Sequence, residues 1–181
     1  MELAKRPDVI NDTPQSWTPE LEDLLAKWHR RMCACQHAYY AEAERLRRLH
    51  YCLGIPAVVL SSIVGSAVFA SLEKQEVSLE ARLMVAIISV TAAILAGLQT
   101  FLRLSETAAA HGTAADWFSA IKRDIEQLQA LQESDRGQPR ACIEGLRKEI
   151  NKVSQNAPQL RETLWTAVAK AYGVDVPLQS A

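Results

Sequence analysis

YCLGIPAVVLSSIVGSAVFASL at 51–72 and LMVAIISVTAAILAGLQTFL at 83–102 decide the fold, because neither carries a charged side chain over 22 and 20 residues respectively. At 1.5 Å of rise per helical residue each reaches roughly 30 Å, the thickness of a bilayer's hydrocarbon core. Only the ten residues EKQEVSLEAR at 73–82 separate them. Backbone in lipid must satisfy its own polar groups, so the pair reads as a transmembrane helical hairpin, 51–72 and 83–102, joined by an extracytoplasmic turn at 73–82. Two buried helices of a soluble protein are the competing reading. Length opposes it, because a chain of 181 residues rarely holds two such runs when most of its helices need a wet face.

Charge sets the orientation. Arg45, Arg47 and Arg48 crowd the entrance to the first span and Arg103 follows the second, whereas the turn sets Lys74 and Arg82 against Glu73, Glu76 and Glu80. The positive-inside bias then puts both termini in the cytoplasm. The first residues, MELAKRPDVINDTPQSW, hold no apolar run of the kind a signal peptide needs. Cys33, Cys35, Cys52 and Cys142 therefore fall in a reducing compartment or in the membrane, where a disulfide framework is not expected.

Outside the spans the pattern is helical throughout, so the fold class is an all-α membrane protein. Residues 1–18 read as a flexible tail. Thr18-Pro19-Glu20 then supplies an N-cap, a proline at the first helical position and an acidic first turn for a helix over 19–50. Along it Leu21, Trp28, Cys35, Glu42 and Leu49 recur every seven residues, and Leu25, Met32, Tyr39, Leu46 and Leu53 form a second row offset by four. This is a coiled-coil-like seam interrupted only by Glu42, and Leu25, Trp28, Met32, Tyr39 and Leu46 are its candidate oligomer contacts. After the second span a helix over 103–133 carries the stripe Leu104, Ala108, Ala115, Phe118, Ile121, Ile125 and Leu128. The two cytosolic helices are expected to pair antiparallel, with Gly112 and a capping-box-like Thr113 and Asp116 as a place where the second breaks. SDRGQP at 134–139 is a loop, and helices over 140–172 follow, one with Cys142, Leu146, Ile150 and Val153 on a face, the next with Leu160, Leu164 and Val168 after Pro158. The ending GVDVPLQSA reads as frayed.

Each span has a face of small side chains. Turning 100° per residue gathers Gly54, Ala57, Ser61 and Gly65 on the first, and Ala86, Ser89, Ala93, Gly97 and Thr100 on the second. Small residues let helices approach closely in lipid, where no hydrophobic force drives them together. The same faces, with Ser61, Ser62, Ser66, Thr91 and Gln99, also suit a water-filled path, and both readings stand at this level. Neither span holds Asp, Glu, Lys, Arg or His, which excludes a proton relay or voltage sensor of the usual kind. One hairpin cannot enclose a pore, so conduction requires a homo-oligomer. Gly54 and Pro56 are a candidate hinge, because the proline removes a backbone donor and crowds the carbonyl of Cys52.

Catalytic and metal motifs are absent: no G-x-x-x-x-G-K-[ST], G-x-S-x-G or H-E-x-x-H occurs. His29, Cys33 and His37 share a helical face, but Cys35 is turned about 200° from Cys33, so four ligands do not converge. Neither an enzyme nor a cofactor is expected, and the mixed charges give no footprint for nucleic acid. Arg45, Arg47, Arg48, Lys122 and Arg123 are the basic groups that a nucleotide would need, although membrane topology already accounts for the first three.

LGIPAVVLSSIVGSAVFASL at 53–72 and ILAGLQTFLRLSETAAAHGTAADW at 94–117, with the EIN-type helix at 149–151 and NAP at 156–158, resemble the SLATT proteins of bacteria. The likeness covers about residues 19–168. G-I-P and L-x-x-L-Q-T-F-L-R are its most specific parts, and Gly112 is a position that departs from it. The resemblance implies a two-span effector of bacterial anti-phage defence in the inner membrane. It further implies an oligomeric pore that arrests an infected cell, with a nucleotide second messenger or a sensor protein as trigger. A non-conducting scaffold or transporter subunit is the alternative. The family defines no catalytic residues to carry over.

Overall fold

The computed structural model describes residues 16–73 and 78–174, and among these residues the chain is all helical, without a strand. Five helices follow in order: α1 Pro19–Glu73, α2 Leu79–Leu102, α3 Leu104–Ala130, α4 Pro139–Asn156 and α5 Glu162–Tyr172. A single 3₁₀ turn, Glu133–Asp135, precedes α4. Helix α1 starts where its sequence signals a start, with the amides of Leu21 and Glu22 donating to the Thr18 carbonyl at 3.0 and 3.1 Å. It then runs 55 residues, about 80 Å, so its amphipathic and apolar portions form one continuous rod.

The core lies between α1 and α3 and is closed by α4 and α5. Leu25, Met32, Ala38 and Tyr39 of α1 meet Ala114, Ala115, Phe118, Ile121 and Ile125 of α3, while Leu146 of α4 and Trp165, Val168 and Ala169 of α5 complete the cluster. Contacts along the rod pair rising with falling residue numbers. His29 meets Glu126, Tyr40 donates to Asp116, and His50 lies beside Gln99. Leu25, Met32, Tyr39 and Ile125 are each 3 % exposed or less.

Several boundaries differ from the sequence reading. Trp17, assigned to the tail, is buried in the core under the Arg136 guanidinium, 5.4 Å from its ring, and Arg136 also pairs with Glu22. Residues 1–15 of that tail, 74–77 of the turn and 175–181 of the ending lie outside the described residues. Helix α2 begins at Leu79 rather than 83, because Ser78 caps it by accepting from the Ala81 amide at 3.3 Å. Helix α3 passes through Gly112 unbroken. Thr113 there donates to the Ala109 carbonyl at 3.1 Å instead of capping a new helix.

Pro56 does not interrupt α1 either. The backbone irregularity falls instead at Arg103, between α2 and α3, where φ is 45° and ψ 38°. A left-handed conformation costs a residue with a Cβ about 1–2 kcal/mol. At the other end, Gly173 takes the same conformation freely, and the Val174 amide closes α5 on the Ala169 carbonyl at 2.9 Å.

Candidate functional site

The apolar portions of α1 and α2 are covered by little of their own chain. Within their most apolar 18-residue windows, 11 % and 6 % of the residues are buried, against mean hydropathies of 2.1 in both. Large side chains stand outward along them, with Ile55, Val58, Val59, Ile63 and Phe69 on α1 and Leu83, Met84, Ile87, Val90, Ile94, Leu98 and Phe101 on α2. Both helices are therefore long and apolar enough to cross a membrane, and their apolar surface is not spent inside a protein core.

The small-residue face largely coincides with the packed face on α1 but not on α2. On α1 the covered face includes Gly54, Ala57 and, partly, Gly65, but Ser61, Ser62 and Ser66 are exposed. On α2 the covered residues are Val85, Ile88, Ser89, Ala92, Leu95 and Gln99, whereas Ala86, Ala93, Gly97 and Thr100 are exposed. Helix α2 is thus turned by about one residue, near 100°, from the orientation its small stripe suggested. Six hydroxyls are also committed locally. Ser61, Ser62, Ser66, Ser89, Thr91 and Thr100 donate to carbonyls four residues back at 2.7–3.1 Å.

Gly54 has a specific task. Gln99 reaches across from α2 with Nε2 3.4 Å from the His50 ring, and a Cβ on Gly54 would stand 2.7 Å from that nitrogen. Of the pair read as a hinge, Gly54 sits in a close helix contact, where the lack of a Cβ admits Gln99, while Pro56 is exposed.

Below the apolar portions the basic residues are locally paired. Arg45 binds Glu42, Arg47 and Arg48 bind Glu44, Arg103 binds Glu106, Lys122 binds Glu126, and Arg123 donates to Ser119. Lys122 and Arg123 lie near the His29 and Tyr40 level of α1, on the order of 15 Å along the rod from Arg45–Arg48, so the five do not form one cradle. His29 is engaged by Glu126 at 2.9 Å and His37 shares a hydrogen bond with Tyr172 at 3.2 Å. Cys33 lies 3.9 Å from the His29 ring.

The most concentrated polar chemistry sits where the seam breaks. Glu42 is 4 % exposed, and its carboxylate accepts from Arg161 Nε at 3.0 Å and Nη2 at 2.8 Å and from Arg45 at 2.9 Å. Burial pushes this carboxyl up, but the hydrogen bonds and charge of Arg161, with Arg45, outweigh burial and hold it below its ordinary value. One turn away, Tyr39 donates to the Pro158 carbonyl at 2.9 Å, and burial pushes its phenol up to about 12, so it stays protonated. Tyr39 stacks on Phe118 at 5.3 Å and lies 5.7 Å from the His111 ring. His111 is itself buried, its Nδ1 lacks a partner, and desolvation lowers its pKa against the opposing pull of Glu42.

Sequence reasoning singled out Glu42 only as a flaw in a heptad row and missed Arg161 and His111. The signal was present, because a carboxylate on a buried face demands a cation from elsewhere. The seam residues Leu25, Met32 and Tyr39, offered to a neighbouring copy by their spacing, are occupied here by the chain's own α3, while Trp28 and Leu46 are half-buried. Fold and site together define an all-helical chain with two helices able to cross a membrane and a polar joint beneath them. No family model, curated protein or solved structure matches the chain.

Proposed function

We propose that this protein is an oligomeric, pore-forming effector of the bacterial inner membrane, of the two-span SLATT type, gated through its cytosolic helices by an infection signal. One observation carries the reading. Two helices of spanning length leave about nine-tenths of their most apolar windows uncovered, which in water would be an untenable patch and in lipid is the expected surface. The contact pairs 29 with 126, 40 with 116 and 50 with 99 support an antiparallel hairpin whose lower arms pair in the cytoplasm. The arginines at both lower ends support cytoplasmic termini.

In this reading several hairpins ring an axis, and the faces not used between α1 and α2 meet neighbours or line the lumen. Ala86, Ala93, Gly97 and Thr100 on α2 and Ser61, Ser62 and Ser66 on α1 remain available for that. A non-conducting scaffold is the second reading, and the local hydroxyl hydrogen bonds favour it, because these six side chains then offer a file of water acceptors only. Ion flux from purified protein in liposomes separates the two. Dye or ion release that rises steeply with protein-to-lipid ratio supports the pore. Stable insertion of assembled, multi-copy particles that release nothing across that range refutes it.

A further inference from the structure

The two heptad rows of α1 have different fates. Leu25 and Met32 lie in the core shared with α3, and Tyr39 stacks on Phe118 while its hydroxyl reaches the Pro158 carbonyl, whereas Trp28, Cys35 and Glu42 lie toward α5 and the segment leading into it. That covering segment, Ala157–Tyr172, is short. Helix α5 has 11 residues, about 16 Å, while the row from Trp28 to Leu49 extends about 30 Å. Leu49 stays 38 % exposed above it. Below it, a groove of about 430 Å³ opens among Leu24, Trp28, Arg31, Gly173 and Val174.

A helix of 11 residues is marginal by itself, so α5 exists by docking. Trp165, Val168 and Ala169 supply its apolar grip. Its polar anchors are Arg161 on Glu42, the Pro158 carbonyl on Tyr39, and Tyr172 on His37. Arg161 occupies the N-cap position without capping its helix, its guanidinium being given to Glu42.

We propose that residues 157–172 are a releasable strap that occupies the Trp28–Cys35–Glu42 row of α1 in place of the same row from a second copy of this chain. A seven-residue period over some 30 Å matches a long helix, and the chain that carries such a helix with the same register is this one. When Arg161 leaves, Glu42 retains Arg45, so the row is not left with an unpaired buried charge. The strap rests on the oligomeric reading above, and its release is the step that lets copies join through their cytosolic rods.

The test uses the full chain in detergent and in liposomes, with Arg161→Glu, Arg161→Lys and, in a background lacking the native cysteines, His37→Cys with Tyr172→Cys joined by a bismaleimide. Amide exchange over 162–172 should quicken on the order of tenfold or more in Arg161→Glu, because the reversed charge meets a buried carboxylate, while 114–125 stays protected. Particle mass should rise with it, Arg161→Lys should fall between, and the cross-link should return the mass to the wild-type value. If 114–125 also loses protection in Arg161→Glu, Arg161→Lys decides by the same two readouts. Unchanged exchange of α5, or its release without a gain in mass, overturns the strap. Larger particles that release no ions leave the strap standing and sink the pore, whereas flux from the cross-linked protein sinks the strap alone.

Discussion

The lower part of this molecule and the upper part are built from the same two helical rods, yet they dispose of apolar surface in opposite ways. Around Tyr39 and Phe118 the inward faces of α1 and α3 are buried, from Leu25 to Ala43 and from Ala108 to Ile125, whereas between residues 51 and 102 the described residues include only Ala57 and Ala92 as buried ones. The lower part follows the rule for proteins in water, where removing apolar area from solvent supplies the stabilisation. The upper part contributes almost nothing by that rule. It is held by close approach at Gly54 and Gln99 and by the covalent continuity of α1 through Glu73.

The largest expected difference between the parts is therefore in the cost of losing an aromatic ring. Phe118→Ala empties a packed position stacked on Tyr39 and should cost about 3–5 kcal/mol of unfolding free energy. Phe101→Ala removes a ring that is 85 % exposed and should cost less than about 0.5 kcal/mol in a detergent micelle. Denaturant unfolding in micelles measures both. Equal losses would mean that the upper helices bury their surface in a further protein contact, and the contrast between the parts would collapse.

A smaller effect separates two glycines within the upper part. Gly54→Ala puts a methyl 2.7 Å from Gln99 Nε2, the mobile end of that side chain, which must swing away from the His50 ring, and should destabilise the helix pair by about 0.5–1 kcal/mol, whereas Gly97→Ala has nothing within 4 Å and should be neutral or slightly stabilising. Adding Gln99→Ala should restore most of the loss at Gly54, since the three nearest atoms all belong to that side chain. A cysteine pair bridging α1 and α2, scored for cross-linking yield, reports the helix separation directly. Should Gly97→Ala prove the more damaging, α2 uses its small face rather than its Ala92 face against α1.

Legibility follows the same division. The apolar spans, their separation and the buried row Leu25–Met32–Tyr39 are visible in the sequence because one-dimensional periodicity encodes which face is apolar. What covers that face is not visible. Period seven suits a helix of the same chain as well as one of another copy, and the sequence does not choose between α3 and a neighbour. The rotation of α2 is hidden for a related reason. Ala92 and Ala93 are adjacent small residues about 100° apart, and the close contact of Gln99 with Gly54, a tertiary fact, selects the first. Arg161 is hidden because it lies 119 residues from Glu42, and the periodicity of Leu160, Leu164 and Val168 around it marks an apolar face but names no partner for a charge. Gly112 misled in the other direction: a glycine inside a packed helix costs about 1 kcal/mol, which the α1–α3 interface readily offsets.

The smallest effect is one of slope, and it falls on the lower part alone. His111 is buried with Nδ1 unpartnered, and desolvation sets its folded pKa below the ordinary 6.5, with Glu42 opposing. The groups facing it are Tyr39 and Glu42 from α1, the latter already engaged by Arg45 and by Arg161 from the α5 side. A ring that prefers to be neutral when folded contributes stability above pH 6.5, and that contribution is lost as pH falls toward the folded pKa. Glu42 has the same sign at lower pH, because its depressed pKa gives stability above the ordinary 4.5 that disappears as acid protonates it. Unfolding of the wild type should therefore become easier between about pH 7 and 5.5, while His111→Phe, which keeps an aromatic ring against Tyr39, should be flatter over that window. Amide exchange resolves the two parts in one experiment. Protection over 104–125 should fall with pH in the wild type, and protection over 85–99, where no Asp, Glu, Lys, Arg or His occurs, should not follow it. If both stretches lose protection together, acid is acting on the whole rod rather than through His111, and the buried ring has no separate influence on the joint.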